Sequence, residues 1–316
     1  MAVWNEVSIS DIQSKDRFDA DFFQNKYVEL DKFVECGFSI SRIADTVDLQ
    51  SNGAFKQIFN ILSEPGIKEI PYIRSGNVGD FFLNKDELHF ITTSAHKKLF
   101  KTHTKLGDVL MARKGKIGGA TLITKEDINF NSNDNVVNIR LKDDRFSPEY
   151  FVTFWNSKYG LMQIERFATG NVQPWLSMKQ VRMLKTVMLD FNYQQEINEV
   201  VEKSFVKRQL SRSLYIEAQE LLVKELGLDE IDKLEHVNRY VTEYSNAIGN
   251  GRLDPEFFHV KFDPILTVIE NYKDGVKPLS HISRLITPNF NSKRHKGDFR
   301  YIEIGDVNIS DGSYNT

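Results

Sequence analysis

The chain carries one cysteine, Cys36, in 316 residues. That excludes an internal disulfide and a cysteine-built zinc site, and it fits a reducing cytoplasm. No run of about 18 apolar residues occurs, which excludes a transmembrane helix. The start, Met1-Ala2-Val3-Trp4-Asn5-Glu6, lacks the basic and apolar regions of a signal peptide. There is no G-x-x-x-x-G-K-[ST] and no G-x-G-x-x-G; the nearest stretch, Gly115-Lys116-Ile117-Gly118-Gly119, has too few residues between its glycines to cradle a phosphate. The eight prolines are all isolated, which excludes the Asn/Asp-Pro-Pro-Tyr motif of amino-methyltransferases. No G-x-S-x-G nucleophile elbow is present. His96 and His103 are seven apart, not the i, i+4 spacing that sets two metal ligands on one helical face. Asp80, Glu87 and Lys97 form only the scattered acid-and-lysine set that arises by chance. Charge of one sign is also missing: 41 basic residues stand against 44 acidic, a net of −3, so any nucleic-acid surface must be local. These absences point away from an enzyme.

What is present describes an ordinary folded chain, 41% hydrophobic and 27% charged, with length for roughly two domains. A repeat runs through it. Arg17-Phe18-Asp19-Ala20-Asp21-Phe22-Phe23 recurs as Arg252-Leu253-Asp254-Pro255-Glu256-Phe257-Phe258, 235 residues on. An apolar helical face follows each copy: Phe23, Tyr27, Leu30 and Val34, then Phe258, Phe262, Leu266 and Ile269. Ile40–Ile43 matches Leu279–Ile282, and Pro71–Val78 matches Arg300–Val307. One full unit of about 235 residues and the opening of a second are therefore expected, with the second cut short.

The patterning predicts a helix over about 21–35 and strands at Tyr72–Val78, Leu88–Ile91, Asp108–Ala112, Ala120–Thr124 and Val136–Leu141. Pro148 opens a helix to about Phe167. Thr169–Trp175 reads as a loop, Ser177 with Gln180 as a capping box, and Val187–Leu189 as a strand. From Gln194 to Lys224 there is no glycine or proline, and Gly227 stands where a helix would end. A helix of about 30 residues, about 45 Å long, suits a spacer or coiled-coil partner better than a small core.

Between Ile91 and Thr124 seven basic residues, Lys97, Lys98, Lys101, Lys105, Arg113, Lys114 and Lys116, face one acid, Asp108. Such density suits phosphate contacts, and Lys97, Lys98, Lys101, Lys114 and Lys116 are the candidates. Arg74-Ser75-Gly76-Asn77 sets a guanine-reading arginine beside an adenine-reading amide; Arg113, Asn171 and Gln173 are further candidates for base or groove contacts. Trp175 reads as a core or hinge aromatic.

These blocks, in their order, resemble the DNA-specificity subunit of type I restriction–modification systems. The carriers are Tyr72–Val78, Gly107–Arg113 with Lys114–Gly119, Thr169–Gln173, Leu176-Ser177 and Gln194–Ile197, together with the repeat and the long helix. The resemblance implies an α+β fold: a target-recognition domain of short strands with flanking helices at 1–190, a long spacer helix at 191–235 and the truncated start of a second recognition domain at 236–316. It implies a non-catalytic, cytoplasmic subunit that binds double-stranded DNA, with S-adenosylmethionine and ATP on partner methyltransferase and translocase–nuclease subunits and no cofactor of its own. A short second domain leaves room for a homodimer through the long helix. The alternatives are a recognition module with its own metal-dependent nuclease, or a protein of assembly alone.

Overall fold

A computed structural model describes residues 5–15, 17–35, 39–42, 47–50, 55–79, 81–115, 117–142, 145–170, 172–229, 241–273 and 275–286, with 297, 302 and 307. The chain divides into two compact units, Met1–Ser204 and Phe205–Thr316. The fold is mixed α and β, with short strands and one long helix.

The first unit opens with α1 (Ile9–Lys15), a 3-10 turn (Ala20–Phe23) and α2 (Asn25–Glu35). Strands β1 (Ser39–Arg42) and β2 (Val47–Gln50), helix α3 (Phe55–Leu62), strands β3 (Lys68–Ile73) and β4 (His89–Thr92), and helix α4 (Thr93–Lys98) follow. Next come β5 (Val109–Ala112), β6 (Ala120–Leu122), β7 (Asn131–Ser132) and β8 (Val136–Leu141). Helices α5 (Pro148–Asn156), α6 (Lys158–Phe167) and α7 (Met178–Met183) lead to β9 (Lys185–Met188) and to α8 (Phe191–Leu226).

Among the described residues the strands form three small sheets. An antiparallel sheet has the order β2-β8-β5-β6, a mixed one β4-β3-β7, and β1 pairs with β9. Strand β5 is buried on both faces, so its alternation sorts side chains between two cores rather than between core and water. Val109 and Met111 join Val137, Ile139, Phe151, Trp155, Ile164 and Leu176 in the larger core. Leu110 and Ala112 join Ile73, Val78, Ile123 and Val136 in a second.

The element boundaries depart from the sequence pattern where a side chain claims the backbone. The strand expected through Val78 stops at Ile73, because Asn77 bends the chain into a 3-10 turn: its Oδ1 accepts from Arg74 N at 2.9 Å. The helix expected to run unbroken from Pro148 to Phe167 is two helices. Ser157 is extended between them and caps the second, accepting from Gly160 N. Gly160 makes the sharp junction possible: a methyl group there would lie 2.5 Å from Phe154 O and 2.7 Å from Trp155 Cα. The capping box at α7 forms as read, with Ser177 N donating to Gln180 Oε1 at 2.7 Å and Gln180 N to Ser177 Oγ at 3.2 Å.

Helix α8 is longer than expected, 36 residues or about 54 Å, and Gly227 ends it at φ +68. Gln194 fastens its first turns to the first unit. The amide accepts from Ser147 N at 2.9 Å and donates to the carbonyls of Arg145 and Leu189, each at 2.9 Å. Further along, Val206, Leu210, Leu214, Ile216, Leu221 and Leu222 are exposed.

The second unit contains α9 (Tyr244–Asn250), a 3-10 turn (Pro255–Phe258), a second 3-10 turn (Val260–Phe262), α10 (Asp263–Glu270) and α11 (Leu279–Ile282). Its opening repeats that of the first unit in atomic detail. Arg17 grips Asp19 through Nε at 2.6 Å and Nη2 at 2.5 Å; Arg252 grips Asp254 through the same two atoms at 2.7 Å each. Each aspartate precedes a 3-10 turn holding two edge-to-face phenylalanines, with centroids 5.1 Å apart for Phe22–Phe23 and 4.9 Å for Phe257–Phe258. The arginine lies over the first ring of each pair, at 4.8 and 4.7 Å. The second matched block does not keep its form: Ser39–Arg42 is a strand and Leu279–Ile282 a helical turn. Strand β1 is held extended by pairing with β9. The third block falls on 300–307, nearly all of it outside the described residues, as are Cys36 and Asp80.

Candidate nucleic-acid interface

Three loops converge beyond the Ala112–Val136 end of the four-stranded sheet. The first, Arg74–Asn77, follows β3. The second, Arg113–Gly115, follows β5. The third spans 169–175 between α6 and α7. Gly115 is where they touch: a methyl group on it would stand 3.2 Å from Ser75 Oγ and 4.0 Å from Gln173 Nε2. Its φ of +86 lies in the region that glycine tolerates and other residues resist. Gly115→Ala is expected to cost about 1–2 kcal/mol from the backbone alone and to push Ser75 and Gln173 apart. Thermal unfolding checks the first effect and DNA affinity the second.

The third loop is a tight hairpin. Thr169 N donates to Trp175 O at 2.9 Å, and Trp175 N to Thr169 O at 2.8 Å. A side chain on Gly170, at φ +101, would meet Gln173 O at 2.8 Å. Trp175 also bridges to Lys114, which ties the hairpin to the β5 loop. Trp175 is 41% exposed, so of the expected core or hinge positions the core one is not where it sits.

Arg113 faces inward, against the expectation that it reads bases. Nε donates to Asp134 O at 2.9 Å and Nη1 to Leu176 O at 3.3 Å, while Arg113 O accepts from Leu176 N at 2.7 Å. One half-buried guanidinium thus staples the β5 loop, the 133–135 loop and the base of the hairpin. Asn77 is likewise spent. It is buried, and Nδ2 donates to Asn84 O at 3.1 Å and reaches Glu87 O at 3.5 Å, leaving no free amide edge for a base. Arg74, Lys114 and Gln173 are exposed and Ser75 half-buried beside them. Lys116 and Asn171 lie outside the described residues.

Lys97 and Lys98 are carried on α4, and Lys101 in the 3-10 turn after it; all three are exposed. Lys98 is ion-paired with Glu64, and Thr93 bonds Glu69 at 2.8 Å, so acids from the α3–β3 segment dilute the charge that a sequence count assigns to this stretch. The sole acid of the count, Asp108, is buried against Arg140. Beneath the lysines His96 and His103 stack, centroids 3.8 Å apart and 4° from parallel. Asn131 spends its Nδ2 on Leu99 O, so its Oδ1 takes the proton of His96 Nδ1; His103 Nε2 donates to His96 O at 2.8 Å. Burial, opposed by the Asn131 bond and aided by the neighbouring ring, holds the His96 imidazole below its ordinary pKa. Among the described residues no group of three or more His, Cys, Asp or Glu could hold a metal ion, and no helix is long and apolar enough to cross a membrane.

One exposed residue of the site went unnoticed in the sequence. Val172 is 100% exposed at the tip of the hairpin. Gly170 and Pro174 around it were the signal: they mark a turn whose middle must project.

Solved structures of a similar arrangement are type I restriction–modification subunits. The S subunit from M. genitalium is 15% identical at a TM-score of 0.37, over 74% of this chain and 51% of that one. The HsdS subunit from Thermoanaerobacter tengcongensis is 11% identical at 0.33, over 56% and 39%. A chain of a type I R-M complex is 10% identical at 0.35, over 63% and 50%. The chain therefore spans about half the length, or less, of these structures. No protein-family model and no curated protein matches it.

Proposed function

We propose that this chain is a sequence-specific DNA-recognition subunit of a type I restriction–modification complex. It would direct a partner adenine methyltransferase and a translocase–nuclease subunit to double-stranded DNA in the cytoplasm. S-adenosylmethionine and ATP would belong to those partners, and this chain would carry no catalytic residue. The observation that carries the reading is the convergence of Arg74, Ser75, Lys114 and Gln173 on one surface, mounted on loops that Arg113 locks to a buried sheet. Donors of these types read base edges and phosphates, and a rigid mount spares them the entropy of ordering. Helix α8, with its row of exposed leucines, supports a role as spacer and as the seam of a homodimer, in which two copies would read a two-fold symmetric site.

The test is selection from a randomised duplex pool by the full chain with its methyltransferase subunit and S-adenosylmethionine, at two salt concentrations. Enrichment of a defined motif is expected. Gln173→Ala should cost about 1–3 kcal/mol at one base position, and Lys114→Ala should weaken all sequences alike and lower the salt slope by about one. Retention of DNA without any enriched motif would overturn the reading.

A further inference from the structure

We infer that the 169–175 hairpin is a wedge that enters the duplex tip first, setting Val172 against the base stack and bending the DNA. The inference rests on the DNA-recognition reading and adds a mechanical role to it. A fully exposed valine is tolerated on any surface, but this one is mounted unlike a surface residue. The two Thr169–Trp175 backbone bonds, the blocked space at Gly170 and Pro174 make the hairpin stiff. The Lys114–Trp175 bridge and the Arg113 staple fix its base to a strand buried on both faces. Stiffness is what a wedge needs, because a pliant loop would fold aside rather than separate stacked bases.

The surroundings fit a duplex. Two grooves border the hairpin. One, of about 1100 Å3, is walled by Gly170, Pro174 and Lys158, with Asp19, Asp21 and Glu165 farther along its lining. The other, of about 530 Å3, is walled by Trp175, Lys15 and Lys179. Lys158 in the first and Lys179 in the second lie in the grooves that border the hairpin, where the sugar–phosphate strands flanking an unstacked step would run; Lys15 is ion-paired with Asp31. Gln173 sits next to the tip and can bond a base edge exposed by the opening. Aliphatic side chains inserted at a base step kink DNA by about 20–90°.

Arg113 is then a positioning residue. It touches no base, yet the hairpin's angle of entry depends on its two carbonyl bonds. Lysine, with one ammonium in place of a fork, cannot span both.

The experiment is a DNA-bending measurement by end-to-end energy transfer. It uses the duplex enriched in the selection above, bound by the full chain with its methyltransferase subunit. Wild-type protein is expected to shorten the end-to-end distance on binding. Val172→Ser, at a position with no buried contact to lose, should abolish most of the bend and weaken the enriched duplex about tenfold. It should leave binding to unrelated duplex unchanged. Arg113→Lys should reduce the bend in the same way, and a duplex already carrying a flexible mismatch at the kinked step should restore its binding. An enriched duplex bound without bending, or bent equally by Val172→Ser, overturns the wedge while leaving DNA recognition intact. Failure to enrich any duplex removes the recognition reading, and the wedge with it.

Discussion

Arg166→Ala is expected to destabilise the first unit by about 2–4 kcal/mol, from two carbonyls left without a donor and a void beside Phe22, while Asp31, partly exposed, keeps Lys15. The guanidinium on α6 is buried and centres a small network. Nε donates to Phe22 O at 2.9 Å, Nη1 lies 3.4 Å from Tyr27 O and 2.8 Å from Asp31 Oδ2, and the plane covers the Phe22 ring at 4.3 Å. Arg17 and Arg166 thus both lie over the Phe22 ring. Loss of Arg166 strands two carbonyls, weakens the hold on Asp31 and opens a void beside Phe22, Phe23 and Phe167. For a unit of this size the unfolding midpoint should drop by roughly 10 °C. The repeat supplies a control. Arg252, the counterpart of Arg17 rather than of Arg166, forks onto Asp254 and covers Phe257, but it is exposed. Arg252→Ala is expected to leave the midpoint nearly unchanged. Equal losses from the two substitutions, read by calorimetry, would contradict the assignment.

Asp108→Ala is expected to cost about 3 kcal/mol, by the same logic applied to the sheet. Asp108 is 1% exposed. Its carboxylate takes Arg140 Nε at 2.8 Å and Nη2 at 2.6 Å, and it accepts from Lys105 N at 2.9 Å. The pair joins the start of β5 to β8, its neighbour. Alanine leaves the Lys105 N–H unsatisfied and a half-buried guanidinium without its carboxylate. Hydrogen exchange should then speed up across β5 and β8 first. DNA affinity should fall only as far as the loops beyond Ala112 loosen. A fall in affinity with unchanged exchange would instead place Asp108 at the interface.

Both residues show how far the sequence could be read. Asp108 was visible as the one acid in a basic stretch, but its partner is 32 positions away and only strand pairing brings them together. Arg166 carried no signal, being one charge on an amphipathic helix. The recognition loops show the same division. Glycine and polar residues marked the loops after Arg113 and Thr169, while Arg74–Asn77 lay inside an expected strand. Which side chains face out was decided by carbonyls from distant segments, which turned Arg113 and Asn77 inward and left Gln173 and Val172 at the surface.

Whatever depends on local spacing was already set by the order of the residues. The long glycine-free helix and its stop at Gly227 follow from propensity and capping. So does the Ser177–Gln180 box. The repeated Arg-Asp-Phe-Phe opening also folds the same way twice, because its fork and its 3-10 turn close within seven residues. Whatever depends on neighbours from elsewhere in the chain had to wait for the packed fold. Packing split the 148–167 helix at Ser157, because the second helix lies within reach of the first helix's last carbonyls. It made Ser39–Arg42 a strand, where Leu279–Ile282 is a helical turn, because β9 pairs with β1 along its whole length. And it gathered three loops around Gly115, because a backbone with no side chain is what lets Ser75 and Gln173 approach one another.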